Sequence, residues 1–561
     1  MKRTAYSVGF VLLLLLAGCA AHRAIITMAQ DRLSMDQLAA DIATLASDEF
    51  EGRLPGTPGG KKTIAYLEQR YEELGLEPGN GDSYLQDVPL LKAHIDAGSS
   101  ITIKGDGAEQ KLHFRHDFAV WYSAMKDKLS LEDVELVFVG YGAVDPDYDW
   151  DDYEGIDVGG KVVVILREDP GYISDDITFF LGKLETPSSL FRTKYRLATE
   201  QGAAGALVII DTAMSTSKAT WEEVSRYMIR PRTSLLSEEA DTSRAVMNGF
   251  LEVNAGRALL AQAGHSYDSL LVAASKRGFK SFSLGLNLSA SLQKHTDPFT
   301  SYNVLGRLSG RERPDELVIY NAHWDHIGRD TTLSGDQIYN GAVDNASGTA
   351  ALLSLAELFT GLEKRPERSI LFMAVTAEES GLLGSRYYTE HPLYPPTKTA
   401  AVINVDILLP FGKSRDVIVI GSGKSQLDEY IEAAAKRLDL AVQADMWPQE
   451  RFYYRSDHIN FARKGIPSSL MVTGVNNVPH GEDWGLAQFN NYLKEIYHTP
   501  SDEYDDSWDL AGAVDVLMIL FDMGYTISNQ RRFPNWYQED EFRPVRDAAM
   551  EAAGNRPTDS Q

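Results

Sequence analysis

Seven side chains able to bind metal or move protons are scattered over the last part of the chain. They are His323 and Asp325 in AHWDH, Asp344 in GAVDNASG, Glu378 and Glu379 in TAEESGLLGS, Asp406 in NVD and His498 in YHTPSDE. The adjacent glutamates pose a problem of charge. Buried carboxylates repel and are costly to desolvate unless paired or bound to a cation, and no lysine or arginine stands beside this pair. A catalytic zinc takes three protein ligands and keeps a position for water. Two such ions need six contacts, or five residues if one carboxylate bridges. His323, Asp344, Glu379, Asp406 and His498 are five residues of suitable type. One glutamate of the pair can then bind metal while its neighbour stays free as a general base. Imidazole ligands argue for zinc and against magnesium or calcium. Taken singly, each residue has a plainer explanation, Asp344 as a helix N-cap and Asp406 as a turn acid; together these become improbable.

The elements around these residues explain how they could meet. ELVIYNA, ILFMAVTA and AAVIN read as strands running into His323, the glutamate pair and Asp406. SGTAALLSLAELFTGL and KSQLDEYIEAAAKRL read as helices, the first with Leu352, Leu355, Ala356 and Phe359 inward. From about Thr300 the alternation predicts an α/β fold, a mixed β-sheet flanked by helices, with ligands at the carboxyl ends of strands. Upstream, ASDEFEGRLPGTPGG is turn-rich, and Ile64, Leu67, Tyr71 and Leu74 mark a helix. The middle third has its own strands, VELVFVGYG, KVVVILRED and ALVIID, with a helix over KYRLATEQGAAG. Alternating Phe282, Leu284, Leu286 and Leu288 then return the chain to the main domain. After about Ala548 the composition suggests disorder.

The 561 residues suffice for two or three domains, and a net charge of −26 argues against nucleic acid or an anionic membrane surface as partner. Cys19 is the only cysteine, which excludes an internal disulfide and thiolate zinc ligands. It follows a basic start, Lys2 and Arg3, and an apolar stretch, Val8 to Leu16, too short to span a bilayer. LAGC resembles the lipobox of bacterial lipoproteins. That resemblance implies a mature chain beginning at an acylated Cys19 in the bacterial cell envelope. Ala20, in place of aspartate, favours the outer membrane facing the periplasm. No other segment reads as apolar enough to cross a membrane.

AHWDH, GAVDNASG, TAEESGLLGS, NVD and YHTPSDE, in this order, resemble the signature segments of the di-zinc aminopeptidases of clan MH, the aminopeptidase S and aminopeptidase Y family. TSYNVLG and YYRSDHINFARKGIP match as well. The resemblance implies two zinc ions per chain, one held by His323 and Asp406, the other by Glu379 and His498, with Asp344 bridging. It implies Glu378 as general base, Asp325 holding the His323 ring, Tyr497 assisting at the oxyanion, and peptides as substrates, hydrolysed by a water bridged between the ions. DYDWDDYEGIDVGGKVVVILRED and RLATEQGAAGALVIID resemble a β-rich protease-associated domain inserted in the peptidase. The expected divisions are a signal peptide (1–18), a tether (19–33), the first peptidase segment (34–115), the insertion (116–295), the catalytic segment (296–530) and a C-terminal tail (531–561).

Asp457 and His458 are expected to support the pocket by hydrogen bonds; His326 and His480 are left as structural residues. For Arg455, among Phe452, Tyr453 and Tyr454, a structural salt bridge is expected ahead of a grip on a substrate carboxylate. An aminopeptidase is the favoured function. Glutaminyl cyclase-like chemistry with one zinc, carboxypeptidase activity and a non-catalytic binding protein are the alternatives on the same scaffold.

Overall fold

The computed structural model describes residues 22–554, apart from 106, 123–126, 175, 184–185, 213–219, 230, 237–246 and 451. Cys19 and the proposed signal peptide therefore lie outside the described residues. The chain divides into two compact units, one made of the segments up to Leu90 and from Phe299 onward, the other of Leu91–Pro298. The insertion thus starts before position 116, where the sequence reading put it. The strands Ser100–Gly105 and Ala108–His113 pair with each other, and the first also pairs with residues 287–291 of the strand Phe282–Leu308. That partner lies far along the chain, so no local signal marks the boundary.

The first unit is a mixed sheet. Its strands are β1 (Glu77–Pro78), β2 (the end of Phe282–Leu308), β3 (Arg313–His323), β4 (Arg368–Val375), β5 (Thr399–Asn404), β6 (Asp416–Ile420), β7 (Ala441–Ala444) and β8 (Ser468–Thr473). Their order across the sheet is β1–β2–β4–β3–β5–β8–β6–β7, and β4, β3, β5 and β8 run parallel at its centre. Both faces are covered, so the central strands read as unbroken apolar runs. Along β3, Val318, Tyr320 and Ala322 enter a core with Ile42 and Leu45 of α1 (Met35–Leu45) and Leu67 and Tyr71 of α2 (Pro58–Glu73). Leu352 and Phe359 of α3 (Gly348–Thr360), Ile431 of α4 (Leu427–Arg437) and Leu517 and Phe521 of α5 (Ala511–Asn529) complete it. Leu317 and Ile319 face the other way, onto Tyr388 and Phe461. By length and composition α5 could cross a membrane, contrary to the sequence reading, but most of it is buried in this core.

The segments set apart as tether and tail are structured for most of their length, and the last helix runs past Ala548, where disorder was expected, to Ala552. Residues 22–32 of the proposed tether form a helix that buries Ile26 and Ala29 in the same core. The proposed tail holds Trp536, fully buried with its indole donating to the Gly465 carbonyl at 2.8 Å. It also forms a helix, Arg543–Ala552, whose buried Arg546 donates to the Pro396 and Thr399 carbonyls. Only 555–561 of it falls outside the described residues. A polar composition concealed two large side chains that the fold buries and satisfies.

The second unit is β-rich, as expected. Val162–Leu166, Gly205–Ile210 and Met247–Glu252 run parallel, and Phe118–Tyr122 closes antiparallel on the last. Helices Phe191–Glu200 and Val253–Gln262 pack on them.

Candidate metal centre

The candidate residues gather at the carboxyl ends of the parallel strands. His323 is the last residue of β3; Glu378 and Glu379 follow β4, and Asp406 follows β5. Asp344 lies in the turn Ala342–Ser347 that leads into α3. It is not the helix cap: Asn345 accepts the Gly348 N–H at 2.9 Å instead. Ala377, Ile407 and His498 adopt left-handed backbone, with φ of 54°, 59° and 58°. Each stands at or beside a candidate ligand or the candidate base, and such conformations persist in side-chain-bearing residues only where the surroundings enforce them.

Asp344 stands at the middle. Its Oδ1 lies 3.2 Å from His323 Nε2 and its Oδ2 3.0 Å from His498 Nε2. His323 Nε2 is also 3.5 Å from Asp406 Oδ1, and His498 Nε2 is 3.1 Å from Glu379 Oε2. The donor atoms of His323, Asp344 and Asp406 all lie within 4.8 Å of one another, as do those of His326, Asp344 and Glu379. Glu378 faces the same space, 4.0 Å from His323 Nε2.

The residues present fit zinc. Asp406 Oδ1 and Glu379 Oε1 are buried without a hydrogen-bond partner, an arrangement that is costly unless a cation completes it. Ser456 donates to Asp406 Oδ2 at 2.6 Å, leaving Oδ1 turned to His323. The charge pattern agrees. Burial disfavours a charged His323, yet Glu378, Asp344 and Asp406 hold its pKa well above the ordinary range. His498 is likewise raised to about 10, Glu379 and Asp344 outweighing burial. Asp344 is held low by the two histidines despite its burial. Glu378 moves the other way: burial, with Glu379, Asp457 and Asp406 adding to it, pushes its carboxyl well above the usual range. The metal-free chain thus draws protons to the places where cations would serve.

Beside this space is a pocket walled by Ile407, Ile420, Trp447, Phe452, Val472 and Phe489. The Tyr497 ring lines it and stacks on His498, centroids 3.8 Å apart. Arg455 stands at this pocket, exposed, with its guanidinium 5.7 Å from the Phe452 ring centre and donating to the Glu450 carbonyl at 3.4 Å. The expected salt bridge is absent: no carboxylate pairs with Arg455 among the described residues.

All five expected ligands and Glu378 are therefore brought together; besides that for Arg455, three expectations change. The Asp325 carboxylate is 3.9 Å from His323 Nδ1 and accepts the Glu378 N–H at 3.0 Å, while the Asp325 main-chain oxygen is the atom facing Nδ1, at 3.1 Å. His326, expected to be structural, is fully buried with Nδ1 2.6 Å from Glu379 Oε1 and helps to hold the Glu379 carboxyl low. His458 contributes no side-chain hydrogen bond to the centre; burial holds its pKa near 3 and it packs edge-on to Tyr453. Asp457 does act as a support, accepting from Ser385 at 2.5 Å. Ser456, which sequence reasoning missed, holds Asp406; its place beside the quoted Asp457 was the only available signal. His480 remains structural, its ring against Trp484.

Imidazoles and carboxylates thus meet at the open end of a mixed sheet covered on both faces, in two groups that could each hold a metal ion. Residues 303–521 match the model of peptidase family M28, and this stretch contains every candidate ligand. Among curated relatives, aminopeptidase NAALADL1 of Mus musculus is 41% identical over 132 residues, covering 23% of this chain and 16% of the relative. Aminopeptidase YwaD of Bacillus subtilis is 26% identical over 209 residues, covering 37% of this chain and 40% of the relative. The chain thus spans less than half the length of these relatives. The solved aminopeptidase from Aneurinibacillus sp. strain AM-1 shares the fold, with a TM-score of 0.52 at 20% identity, over 91% of this chain and 97% of that one.

Proposed function

We propose that the protein is an aminopeptidase that holds two zinc ions and releases N-terminal residues from peptides. The observation that carries this reading is Asp344, whose two oxygens face two different histidines, each of which faces a further carboxylate. His323 and Asp406 would hold one ion, Glu379 and His498 the other, and Asp344 both. Bound zinc supplies a lowered pKa for water and polarisation of the scissile carbonyl. Glu378, free of any hydrogen bond to its carboxylate among the described residues, takes the proton of the attacking water and delivers it to the leaving nitrogen. Asp325 fixes the backbone of this base through its N–H. Tyr497, its pKa raised far above neutrality by burial and the nearby acids, stays a protonated donor for the developing oxyanion. The apolar pocket beside them suits a bulky aliphatic or aromatic N-terminal side chain.

Metal analysis combined with a panel of aminoacyl arylamides and C-terminally blocked peptides tests the reading. Two zinc ions per chain with cleavage of both substrate kinds is the expected result. One zinc with pyroglutamate formation would favour a cyclase, and undiminished hydrolysis after stringent chelation would end the metal reading. Arg455 supports one second reading: free of a carboxylate partner at the pocket, it could bind a substrate's C-terminal carboxylate bidentately, as a carboxypeptidase requires. Peptides blocked at either end separate the two. We also read Cys19 as acylated, anchoring the enzyme in the envelope; Cys19→Ser should then leave it in the soluble fraction. The inserted unit is read as a protease-associated domain that shapes substrate access.

A further inference from the structure

Arg53, in the turn-rich stretch before α2, is completely enclosed. Its guanidinium donates four hydrogen bonds, all to main-chain carbonyls: to Trp324 at 3.0 Å, Leu45 at 2.8 Å, Asn340 at 2.5 Å and Gly341 at 2.8 Å. No carboxylate touches it among the described residues, although a buried arginine ordinarily has one. Burial pulls its pKa down to about 10, and Asp502, Asp344, Asp325 and Glu379 oppose the fall, so the charge persists at neutral pH. The turn is built to deliver it. Gly52 has φ of 66°, and a side chain there would meet the Tyr339 and Gly328 carbonyls at 2.5 and 2.6 Å. Arg53 itself takes φ of 52°.

The carbonyls it binds are chosen by position. Trp324 stands between His323 and Asp325, and Gly341 opens the turn that carries Asp344. The same turn is held from the amide side by Asp502. One carboxylate oxygen accepts the Val343 N–H at 2.9 Å, the other the Asp344 N–H at 3.0 Å, and the Asp502 carbonyl accepts the Ala342 N–H at 2.9 Å. Asp502 is itself buried and lies four residues beyond His498. Over Asn340 to Asp344, carbonyls bind a cation and amides bind an anion.

We propose that Arg53 and Asp502 are positioning residues, an ion pair relayed through the Asn340–Asp344 backbone, which sets Asp344 between His323 and His498 before metal arrives. This rests on the reading of the site as a metal centre, where outer partners of ligands typically contribute about 10- to 100-fold in metal affinity. The test is a titration of the metal-free protein with zinc against a chromophoric chelator, with circular dichroism to verify folding. Wild type should take up two zinc ions. Arg53→Met and Asp502→Asn should each bind zinc about 10- to 100-fold more weakly while keeping the native spectrum, and Arg53→Lys should recover part of the loss. If Arg53→Met does not fold, Asp502→Asn, which keeps the side-chain volume, decides. Folded variants that bind zinc as tightly as wild type overturn the pair alone. A wild-type chain that takes up no zinc overturns the metal centre, and the pair with it.

Discussion

Replacing Glu378 by glutamine separates catalysis from metal binding. The Glu378 carboxylate is mostly buried, makes no hydrogen bond among the described residues, and has His323 Nε2 at 4.0 Å as the imidazole facing it. An amide of the same shape costs no contact, and the Glu378 N–H to Asp325 is untouched. Burial and the repulsion of Glu379, Asp457 and Asp406 outweigh the attraction of His323 and leave this carboxyl preferring its proton, so a neutral amide should keep the melting temperature of the metal-free fold close to wild type. What is lost is the proton acceptor, a contribution of about 10²- to 10⁴-fold, or roughly 2.7–5.4 kcal/mol of barrier. Steady-state kinetics on a leucine arylamide, with metal content measured on the same sample, should therefore show kcat falling by about that factor. KM should change little, and zinc content should be unchanged. A variant that keeps kcat within about threefold of wild type would remove Glu378 as the base, since even a weak base contributes about a hundredfold. A variant that loses its zinc would instead make it a ligand.

Three further outcomes follow from the same site. His323 and His498 hold protons tightly in the metal-free chain, so zinc uptake must release protons. Affinity should rise with pH between about 6 and 8, and calorimetry in buffers of different ionisation heat should count the release; none at all would contradict the ligand set. In the same metal-free protein, His498 is raised from 6.5 to about 10, so its pairing stabilises the fold fully below pH 6.5 and is lost as pH rises through about 10. The melting temperature of chelated protein should decline across that window, and His498→Gln should flatten the decline. Finally, the apolar pocket predicts that kcat/KM falls about tenfold or more from leucine to alanine arylamide, with aspartate poorer still; equal rates would show that this pocket does not receive the N-terminal side chain.

Four of the ligands were legible in the sequence because each ends or follows a strand or stands in the turn before a helix, so a period-2 or 3.6 pattern leads the eye to it; His498, in a turn far from any strand, was legible only through the motif YHTPSDE. The supports were not. Ser456 reaches Asp406 across 50 positions, Asp502 reaches the Asp344 turn across 158, and Arg53 reaches Gly341 across 288. These bonds are tertiary, and two of the three residues act on backbone, which leaves no requirement on the partner's side chain to be seen. The same holds for the insertion boundary, set by strand pairing with residues near 290, and for Trp536, whose burial depends on the Gly465 carbonyl. His326 escaped for another reason: one imidazole in AHWDH satisfied the ligand count, and nothing local distinguished the second.

Because the inserted unit occupies Leu91–Pro298, the helices before it and the strands after it are made at different times. At about 5–20 residues per second, the roughly 210 intervening residues take some 10–40 s to synthesise. For that interval Arg53 lacks three of its four carbonyl acceptors, those of Trp324, Asn340 and Gly341, and α1 and α2 lack the faces of β3 and α3 that they finally cover. The insertion can collapse on its own meanwhile and shorten the effective loop to be closed. Expression of the 303–521 stretch alone would lack the Arg53 guanidinium altogether, and residues made before the insertion would be the last to find their place.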